Sequence, residues 1–204
     1  MFKCDKNFKI KRLQGELKMI QRKQIPGFTI EPISETDVTK LKGTFEGFQD
    51  SSYDKGFYEV HFIIPDGYPQ VPPKAYFKTK VWHPNISSAT GCICMSLLSD
   101  KWTFSDNLLT IIQSIQALLV CPQPDDPQDL PVATQFINNK ELFDETAAFW
   151  NYHYAGGVKK DYFEKFTFKI NNLCAKGFDK DKIIHTLSMK DWITEQAIAY
   201  LTDN

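Results

Sequence analysis

The pattern of apolar positions predicts one long helix near the start of the chain. Four apolar residues recur at intervals of three and four within residues 8–23, as they do on one helix face: Ile10, Leu13, Leu17 and Ile20. Most basic residues of this segment, Lys9 among them, fall off that face. The turn-forming dipeptide Pro26-Gly27 is expected to end the helix.

Strand patterns follow the helix. Segments 28–33, 41–48, 57–64 and 74–79 are rich in aromatic and β-branched residues and are separated by turn-type clusters. In the third segment apolar and polar side chains alternate, as in an antiparallel strand with one buried face. Because the connections are short and contain no helical pattern, we predict a four-stranded antiparallel meander within an α+β fold.

Helical patterns return after an irregular stretch. Residues 65–107 show little periodicity, and such a long irregular segment inside a compact domain is usually functional. A strongly apolar pattern over 108–119 predicts a buried helix, and shorter helices are predicted over 134–138 and 141–154. We assign residues 1–154 to this first domain.

The last part of the chain, residues 161–204, is called the tail here. Residues 155–160 form a predicted linker, and helical patterns over 161–175, 179–188 and 190–202 predict a small three-helix bundle. A core of this size is marginal on its own, which favours an adaptor over a catalytic body.

Composition and charge narrow the possible classes of protein. The 204 residues are 42% hydrophobic and 24% charged, which excludes a disordered or collagen-like chain. No apolar run approaches the roughly 18 residues that span a bilayer, and we expect neither a signal peptide nor a membrane partner. The formal net charge of -1 gives no basic excess, so no nucleic-acid partner is expected. Residues 1–24 nevertheless carry eight bases and two acids, which favours docking of an acidic partner there.

The cysteines are the first candidates for chemistry. Their odd number and irregular spacing favour reduced thiols: Cys4, Cys92, Cys94, Cys121 and Cys174. A thiol near a histidine is compatible with a thiol protease. It is compatible as well with buried thiols that have only a packing role. It also suits a metal site formed by His83, Cys92, Cys94 and Cys121, although a second spaced ligand pair is missing. The residues alone leave these three alternatives open.

Five motifs in one order point to a family. They are Tyr68-Pro69-x-x-Pro72-Pro73, His83-Pro84-Asn85, Gly91-x-Ile93-Cys94, Trp102 and Pro124-Asp125-Asp126-Pro127. Together, across residues 8–154, they resemble the ubiquitin-conjugating enzymes. The tail resembles a ubiquitin-associated domain through Leu173-Cys174-Ala175-Lys176-Gly177-Phe178. The two parts together resemble the subgroup with such a C-terminal domain, often called the huntingtin-interacting type.

The resemblance implies a carrier of activated ubiquitin. Cys94 is then expected to accept ubiquitin as a thioester from the activating enzyme and to pass it to a lysine amine, in chain building. Cys92 occupies the variable position of the motif and is expected to be a passive thiol. Because a thioester is already activated, no metal or organic cofactor is expected, and ATP is used upstream by the activating enzyme.

Three further residues are implied in the reaction. Asn85 is expected to donate an amide hydrogen bond to the oxyanion of the tetrahedral intermediate, with loop bracing as the alternative. Asp126 is expected to orient the acceptor lysine and to take up its proton, with Asp125 as the neighbouring alternative. His83 is expected to fix the loop by hydrogen bonds more than to act as a base.

Partner surfaces also follow from the resemblance. Lys11 and Arg12 are expected to bind the activating enzyme, and raised salt should weaken that contact. Pro69, Gln70 and Phe104 are expected to contact a ubiquitin ligase. The family often has an aromatic residue in the first of these loops and Pro-Ala after the tryptophan, and this chain has neither, so the choice of ligase is not predicted.

The tail departs from its family pattern at one position. Lys176, Gly177 and Phe178 are expected to form the ubiquitin-binding loop, but Lys176 replaces a methionine, which predicts weakened binding. The alternative is that the tail mainly packs on the first domain.

Two other functions stay open on the sequence. One is a non-catalytic ubiquitin-binding scaffold, and the other is a conjugating enzyme for a related modifier. We expect a monomer that resides in the cytoplasm, with the nucleus as a second compartment.

Overall fold

The computed structural model describes residues 6–23 and 25–203. Helix α1 (Lys6–Lys23) leads into four strands: β1 (Phe28–Ser34), β2 (Asp37–Glu46), β3 (Phe57–Ile63) and β4 (Lys74–Phe77). All neighbouring strands pair antiparallel, in the order β1-β2-β3-β4. The predicted α+β class and the four-stranded meander are therefore confirmed.

Six helices follow the sheet in the part of the chain that the structure describes. They are α2 (Leu108–Val120), α3 (Leu130–Asn138), α4 (Lys140–Ala155), α5 (Phe163–Cys174), α6 (Lys180–Met189) and α7 (Thr194–Asp203), with a short 3₁₀ helix at Ser96–Leu98. Helix α3 begins four residues before its predicted start at 134. It starts early because the Asp129 side chain caps it by accepting a hydrogen bond from Val132 N, and Pro131 occupies its first turn. Within the described ranges, no helix is both long and apolar enough to cross a membrane.

Helix α2 packs on the inner face of the sheet. Five buried side chains of β2 and β3 form this face: Leu41, Phe45, Tyr58, Val60 and Phe62. Gly43 in β2 gives the helix room, because a Cβ atom there would lie only 2.6 Å from Cδ1 of Ile112. The close contact fixes the helix against the sheet and so fixes the loops at both of its ends.

The inner face of α1 carries charge as well as apolar residues. Leu13 and Ile20 are buried as predicted, but Lys9 is only 4% exposed, although the periodicity places it off the buried face. Its aliphatic stem packs inward, and its Nζ atom donates to Oδ1 of Asp66 at 2.7 Å. A lysine at the edge of a helical stripe can therefore be buried when a carboxylate lies within reach.

The tail packs tightly on α4. The ring of Phe149 lies 5.5 Å from that of Phe163, 5.4 Å from that of Phe166 and 5.4 Å from that of Trp192, centroid to centroid. Nε1 of Trp192 also donates to Oγ1 of Thr146 at 2.9 Å. The two parts share one apolar core. These contacts agree with the alternative in which the tail packs on the first domain, while the boundary at 155–160 stays a prediction.

Candidate active site

Cys94 ends a short extended segment that lies beside Asn85. Cys94 N donates to the Asn85 carbonyl oxygen at 2.9 Å, and Ile86 pairs with Ile93 in an antiparallel bridge. Ile93 is buried, whereas Cys92 is exposed and Cys94 half-buried. Because side chains alternate in extended backbone, both thiols point away from the core.

Gly91 makes this close approach possible. Its φ angle is 74°, in the left-handed region that favours glycine. A Cβ atom at this position would lie 2.1 Å from the Phe77 carbonyl oxygen. The glycine of the motif is therefore required by the backbone that presents Cys94.

The second wall of the site is the loop from Cys121 to Asp129, which carries Asp126. The Cys94 thiol faces Oδ2 of Asp126 at a sulfur–oxygen distance of 3.9 Å. The pKa of Cys94 is raised, first by burial, then by the negative charge of Asp126 and the hydrogen bond to it, and also by Cys92. The resting side chain is therefore held as a thiol, which slows reactions that need a thiolate.

Asn85 joins the two walls. Its Nδ2 atom donates to the carbonyl oxygens of Gln123 at 2.8 Å and Asp126 at 3.0 Å, and its Oδ1 atom accepts from Gln123 N at 2.8 Å. The side chain is 1% exposed. Both amide hydrogens are engaged, so the contacts are those of the bracing alternative. An oxyanion contact requires one of these bonds to break, and that role stays a prediction.

His83 is buried and bonded only to the backbone of this region. Its Nε2 atom lies 3.0 Å from the Leu118 carbonyl oxygen and so carries the hydrogen, while Nδ1 accepts from Asn85 N at 3.1 Å. Burial lowers its pKa to about 3, so the ring is neutral. His83 contacts no reacting atom, so these bonds agree with the expectation that it fixes the loop more than it acts as a base. It positions Asn85 and is not itself a catalytic residue.

The same geometry bears on two alternatives left open by the sequence. A thiol protease needs an imidazole that faces the thiol, and both ring nitrogens of His83 are engaged with the main chain. In the described part of the chain, no three His, Cys, Asp or Glu side chains come together as metal ligands. The structure therefore offers neither a protease pair nor a metal centre at this site.

Lys11 and Arg12 lie in different surroundings. Lys11 is exposed, whereas the guanidinium of Arg12 donates to Oε1 of Glu16 at 2.6 Å and to the Asp106 carbonyl oxygen at 2.9 Å. Glu16 is 5% exposed and also accepts from Tyr68 Oη at 2.6 Å. Arg12 thus ties α1 to the loop at Asp106 and contacts the buried Glu16, so its replacement tests folding as well as docking. Only Lys11 is a clean probe of the predicted interface.

The three residues predicted to contact a ligase differ in their exposure to solvent. Gln70 is exposed and the Phe104 ring is 70% exposed, so both side chains are accessible to a partner. Pro69 is buried, and its carbonyl oxygen accepts from Nε1 of Trp102 at 2.8 Å. Pro69 therefore cannot itself face a partner, and its assignment is corrected: it ties together the loops that present Gln70 and Phe104.

The predicted ubiquitin-binding loop of the tail lies between α5 and α6. Lys176 and Gly177 are exposed, Phe178 is half-buried, and Gly177 has a φ angle of 89°. The loop therefore faces solvent although the rest of the tail packs on α4.

Some residues of the site were missed by the sequence reasoning. The Pro84 carbonyl oxygen accepts from Gln128 N at 2.8 Å and from Asp129 N at 3.0 Å, and Gln123 holds both ends of the Asn85 amide. A signal existed for Asp129, because Asp followed two residues later by Pro is a helix-start pattern. No local pattern marks Gln123.

Comparisons with known proteins agree on one family. The family model described as ubiquitin-conjugating enzyme matches residues 12–151. The chain is 40% identical over 201 residues to ubiquitin-conjugating enzyme E2 K of Homo sapiens, covering 97% of this chain and 99% of that protein. It is 43% identical over 171 residues to ubiquitin-conjugating enzyme E2 21 of Caenorhabditis elegans, covering 84% of this chain and 79% of the relative.

A solved structure gives the same result for the fold. The E2 domain of a Toxoplasma gondii ubiquitin conjugating enzyme superposes with a TM-score of 0.68 at 39% identity. The match covers 72% of this chain and 98% of that domain. The similarity to E2 K extends through the tail, because it covers 97% of the chain.

Proposed function

Because this chain belongs to the ubiquitin-conjugating enzyme family and is therefore a ubiquitin transferase, we propose that Cys94 is the residue that carries ubiquitin. One observation carries the proposal: the half-buried Cys94 thiol faces the Asp126 carboxylate at 3.9 Å, between two loops that Asn85 holds together. The arrangement places a nucleophile and a proton acceptor side by side.

In the first step Cys94 receives ubiquitin. The Cys94 thiol loses its proton to water, and its sulfur attacks the thioester carbonyl carbon of ubiquitin held on the activating enzyme. The tetrahedral intermediate then expels the thiolate of the activating enzyme, and a new thioester on Cys94 remains. The exchange is close to neutral in energy because one thioester replaces another, so positioning matters more than activation.

In the second step a lysine amine attacks this thioester. An unperturbed lysine has a pKa of about 10.4 and is almost fully protonated at neutral pH. Asp126 attracts the ammonium group and accepts its first proton, which leaves a neutral amine to attack. The nitrogen loses its second proton to water from the tetrahedral intermediate. The Cys94 thiolate then leaves and ubiquitin is joined to the lysine by an amide bond. The negative charge of Asp126 destabilises the free Cys94 thiolate. It does not destabilise the loaded enzyme, because the thioester is neutral.

Three surfaces are assigned to partners. The exposed Lys11 side of α1 binds the activating enzyme, and the exposed Gln70 and Phe104 bind a ligase. The acceptor lysine belongs to a substrate protein or to a second ubiquitin, which extends a chain.

We place the enzyme in the cytoplasm, and also in the nucleus, as a monomer that needs neither nucleic acid nor membrane. The loop at Lys176–Phe178 is proposed to bind ubiquitin weakly.

A charging assay tests the proposal. The wild type, Cys94→Ser and Cys92→Ser are each incubated with activating enzyme, ubiquitin and ATP and separated on a non-reducing gel. We expect an adduct heavier by one ubiquitin that reduction removes in the wild type and in Cys92→Ser. In Cys94→Ser the adduct is expected to be absent or resistant to reduction, because an oxyester replaces the thioester.

Two results contradict the proposal. A reducible adduct in Cys94→Ser but not in Cys92→Ser would assign the neighbouring thiol instead. No adduct from a folded wild type, with a control conjugating enzyme charged in parallel, would leave a non-catalytic ubiquitin-binding scaffold or an enzyme for a related modifier. Charging with such modifiers would then separate the two.

A further inference from the structure

A hydrogen-bonded cluster links the tail to both walls of the active site. It consists of Ser88, which lies between Asn85 and Cys94, of Asp129, which lies three residues after Asp126, and of His185 on α6. We propose that His185 is a positioning residue for lysine transfer, which acts from the tail by holding Ser88 in the orientation that clamps the two active-site loops together. This inference rests on the proposed role of Cys94.

The direction of each hydrogen bond follows from the chemistry of the groups. Oδ2 of the Asp129 carboxylate accepts from Ser88 N at 2.9 Å and from Ser88 Oγ at 2.6 Å. The hydroxyl hydrogen of Ser88 is therefore used on Asp129. Nε2 of His185 lies 3.0 Å from the same Oγ atom, so Nε2 must donate the hydrogen there. His185 thus selects the hydroxyl orientation in which Ser88 binds Asp129.

The ring is suited to this role. Burial lowers the pKa of His185, Asp129 opposes this effect and Lys80 adds to it. A neutral imidazole has one N–H group, and the contact with Ser88 uses it. The ring borders a small cavity of about 180 Å³ between the tail and the first domain, where Tyr154 and Asp181 also lie.

The clamp closes a series of contacts between the two loops. Asn85 binds the loop at Gln123 and Asp126, and the Pro84 carbonyl oxygen binds it at Asp129 N. The hydrogen bond between Ser88 and Asp129 is a further contact between the same two loops. Ser88 is only 5% exposed. Since Cys94 belongs to one loop and Asp126 to the other, the clamp acts on the distance between the nucleophile and the proton acceptor.

Anchoring the tail does not require His185. The tail is already attached through the aromatic contacts of Phe149 and through the bond from Trp192 to Thr146. An ion pair between Lys165 and Glu145 adds another contact that does not involve the Ser88 cluster. Substitution of His185 therefore separates the clamp from the attachment of the tail.

The experiment measures charging of Cys94 and single-turnover discharge to free lysine, with thermal unfolding of each variant. His185→Gln is expected to discharge within about twofold of the wild type, because its amide nitrogen reaches the place of Nε2. His185→Asn places its amide near Nδ1 and cannot reach Ser88, so discharge should slow about three- to tenfold, as expected for one lost hydrogen bond. Charging and the unfolding temperature should change little in both variants.

Ser88→Ala and Lys165→Gln complete the design. Ser88→Ala should slow discharge as much as His185→Asn, and the double variant should be no slower than either, because both remove the same clamp. Lys165→Gln breaks an attachment of the tail and should discharge like the wild type.

Three outcomes would overturn the inference. They are normal discharge by His185→Asn, equal slowing of the Asn and Gln variants, and fully additive effects of the Ser88 and His185 substitutions. Failure of the proposed function is distinguishable, because a wild type that does not charge on Cys94 would show it before any variant is compared.

Discussion

Replacement of Asp126 by Asn should change two properties of the site in opposite directions. The substitution keeps the size of the side chain and removes its charge, and the Asp126 carbonyl oxygen that Asn85 binds is unaffected. We expect the pKa of Cys94 to fall and the discharge of ubiquitin to lysine to slow. A simple disturbance of the loop would not produce this combination.

The distance between the two groups sets the magnitude of the first effect. The sulfur lies 3.9 Å from Oδ2 of Asp126. At about 4 Å two unit charges interact by about 1 kcal/mol in a water-like dielectric, the appropriate limit for this exposed carboxylate, and this corresponds to about fivefold more thiolate at a fixed pH below the pKa. The pKa of Cys94 should still lie above the ordinary value of a cysteine thiol, because burial is the largest cause of its increase.

The second effect depends on proton transfer. Loss of a positioned proton acceptor commonly slows a reaction about 100-fold or more, and we expect discharge to slow at least tenfold because water and the neighbouring carboxylate compensate in part. Alkylation of Cys94 at a series of pH values, followed by mass spectrometry of the Cys94 peptide in a Cys92→Ser background, reports the thiolate. Single-turnover discharge to free lysine reports the transfer.

Asp125→Asn is the matched control. This carboxylate is also exposed but has no contact with the thiol, so both readouts should stay near those of the wild type. An unchanged alkylation profile in Asp126→Asn would refute the electrostatic reasoning. Unchanged discharge would refute the role of Asp126 in proton transfer, and equal effects of the two variants would assign both to general surface charge.

Three other substitutions test the surroundings of the site. Lys11→Glu should slow charging about two- to fivefold at low salt and less at high salt, and equal slowing at both salt concentrations would contradict docking by charge. Glu16→Gln should lower the free energy of unfolding, measured in urea, by about 2–4 kcal/mol. The reason is that the backbone N–H of Leu108 and the guanidinium of Arg12 lose a buried carboxylate partner. A loss under about 1 kcal/mol would show that water replaces the carboxylate. Trp192→Phe should lower stability by about 1–3 kcal/mol in thermal unfolding, and a wild-type midpoint would show that the tail is held elsewhere.

The sequence predicted the elements of the fold well because their signals are local. Predicted strands 28–33 and 57–64 differ from β1 and β3 by one residue at one end. Periodicity of two or of 3.6 residues reports which face is buried and needs no knowledge of the partner. Helix α3 was predicted too short, although the capping residue Asp129 and Pro131 were visible in the sequence.

The contacts of the site were less predictable, since they join distant parts of the chain. The guanidinium of Arg12 binds a carbonyl oxygen 94 residues away, and Ser88 meets His185 across 97 residues. The motifs placed Cys94 and Asp126 near one another through family resemblance. They did not show that Asn85 has both amide hydrogens engaged, because that depends on the path of the facing loop.

The tail shows why burial changes the interpretation of a deletion. The sequence favours a small separate bundle, but Phe149 on α4 is 3% exposed and lies against three aromatic rings of the tail. Deletion of residues 161–204 would expose this ring and leave Thr146 without the partner that Trp192 supplies. Lower activity of the truncated enzyme would then report lost packing as well as lost ubiquitin contacts. Single substitutions in the exposed loop, such as Lys176→Met, isolate the contribution of ubiquitin binding because they leave that shared core intact.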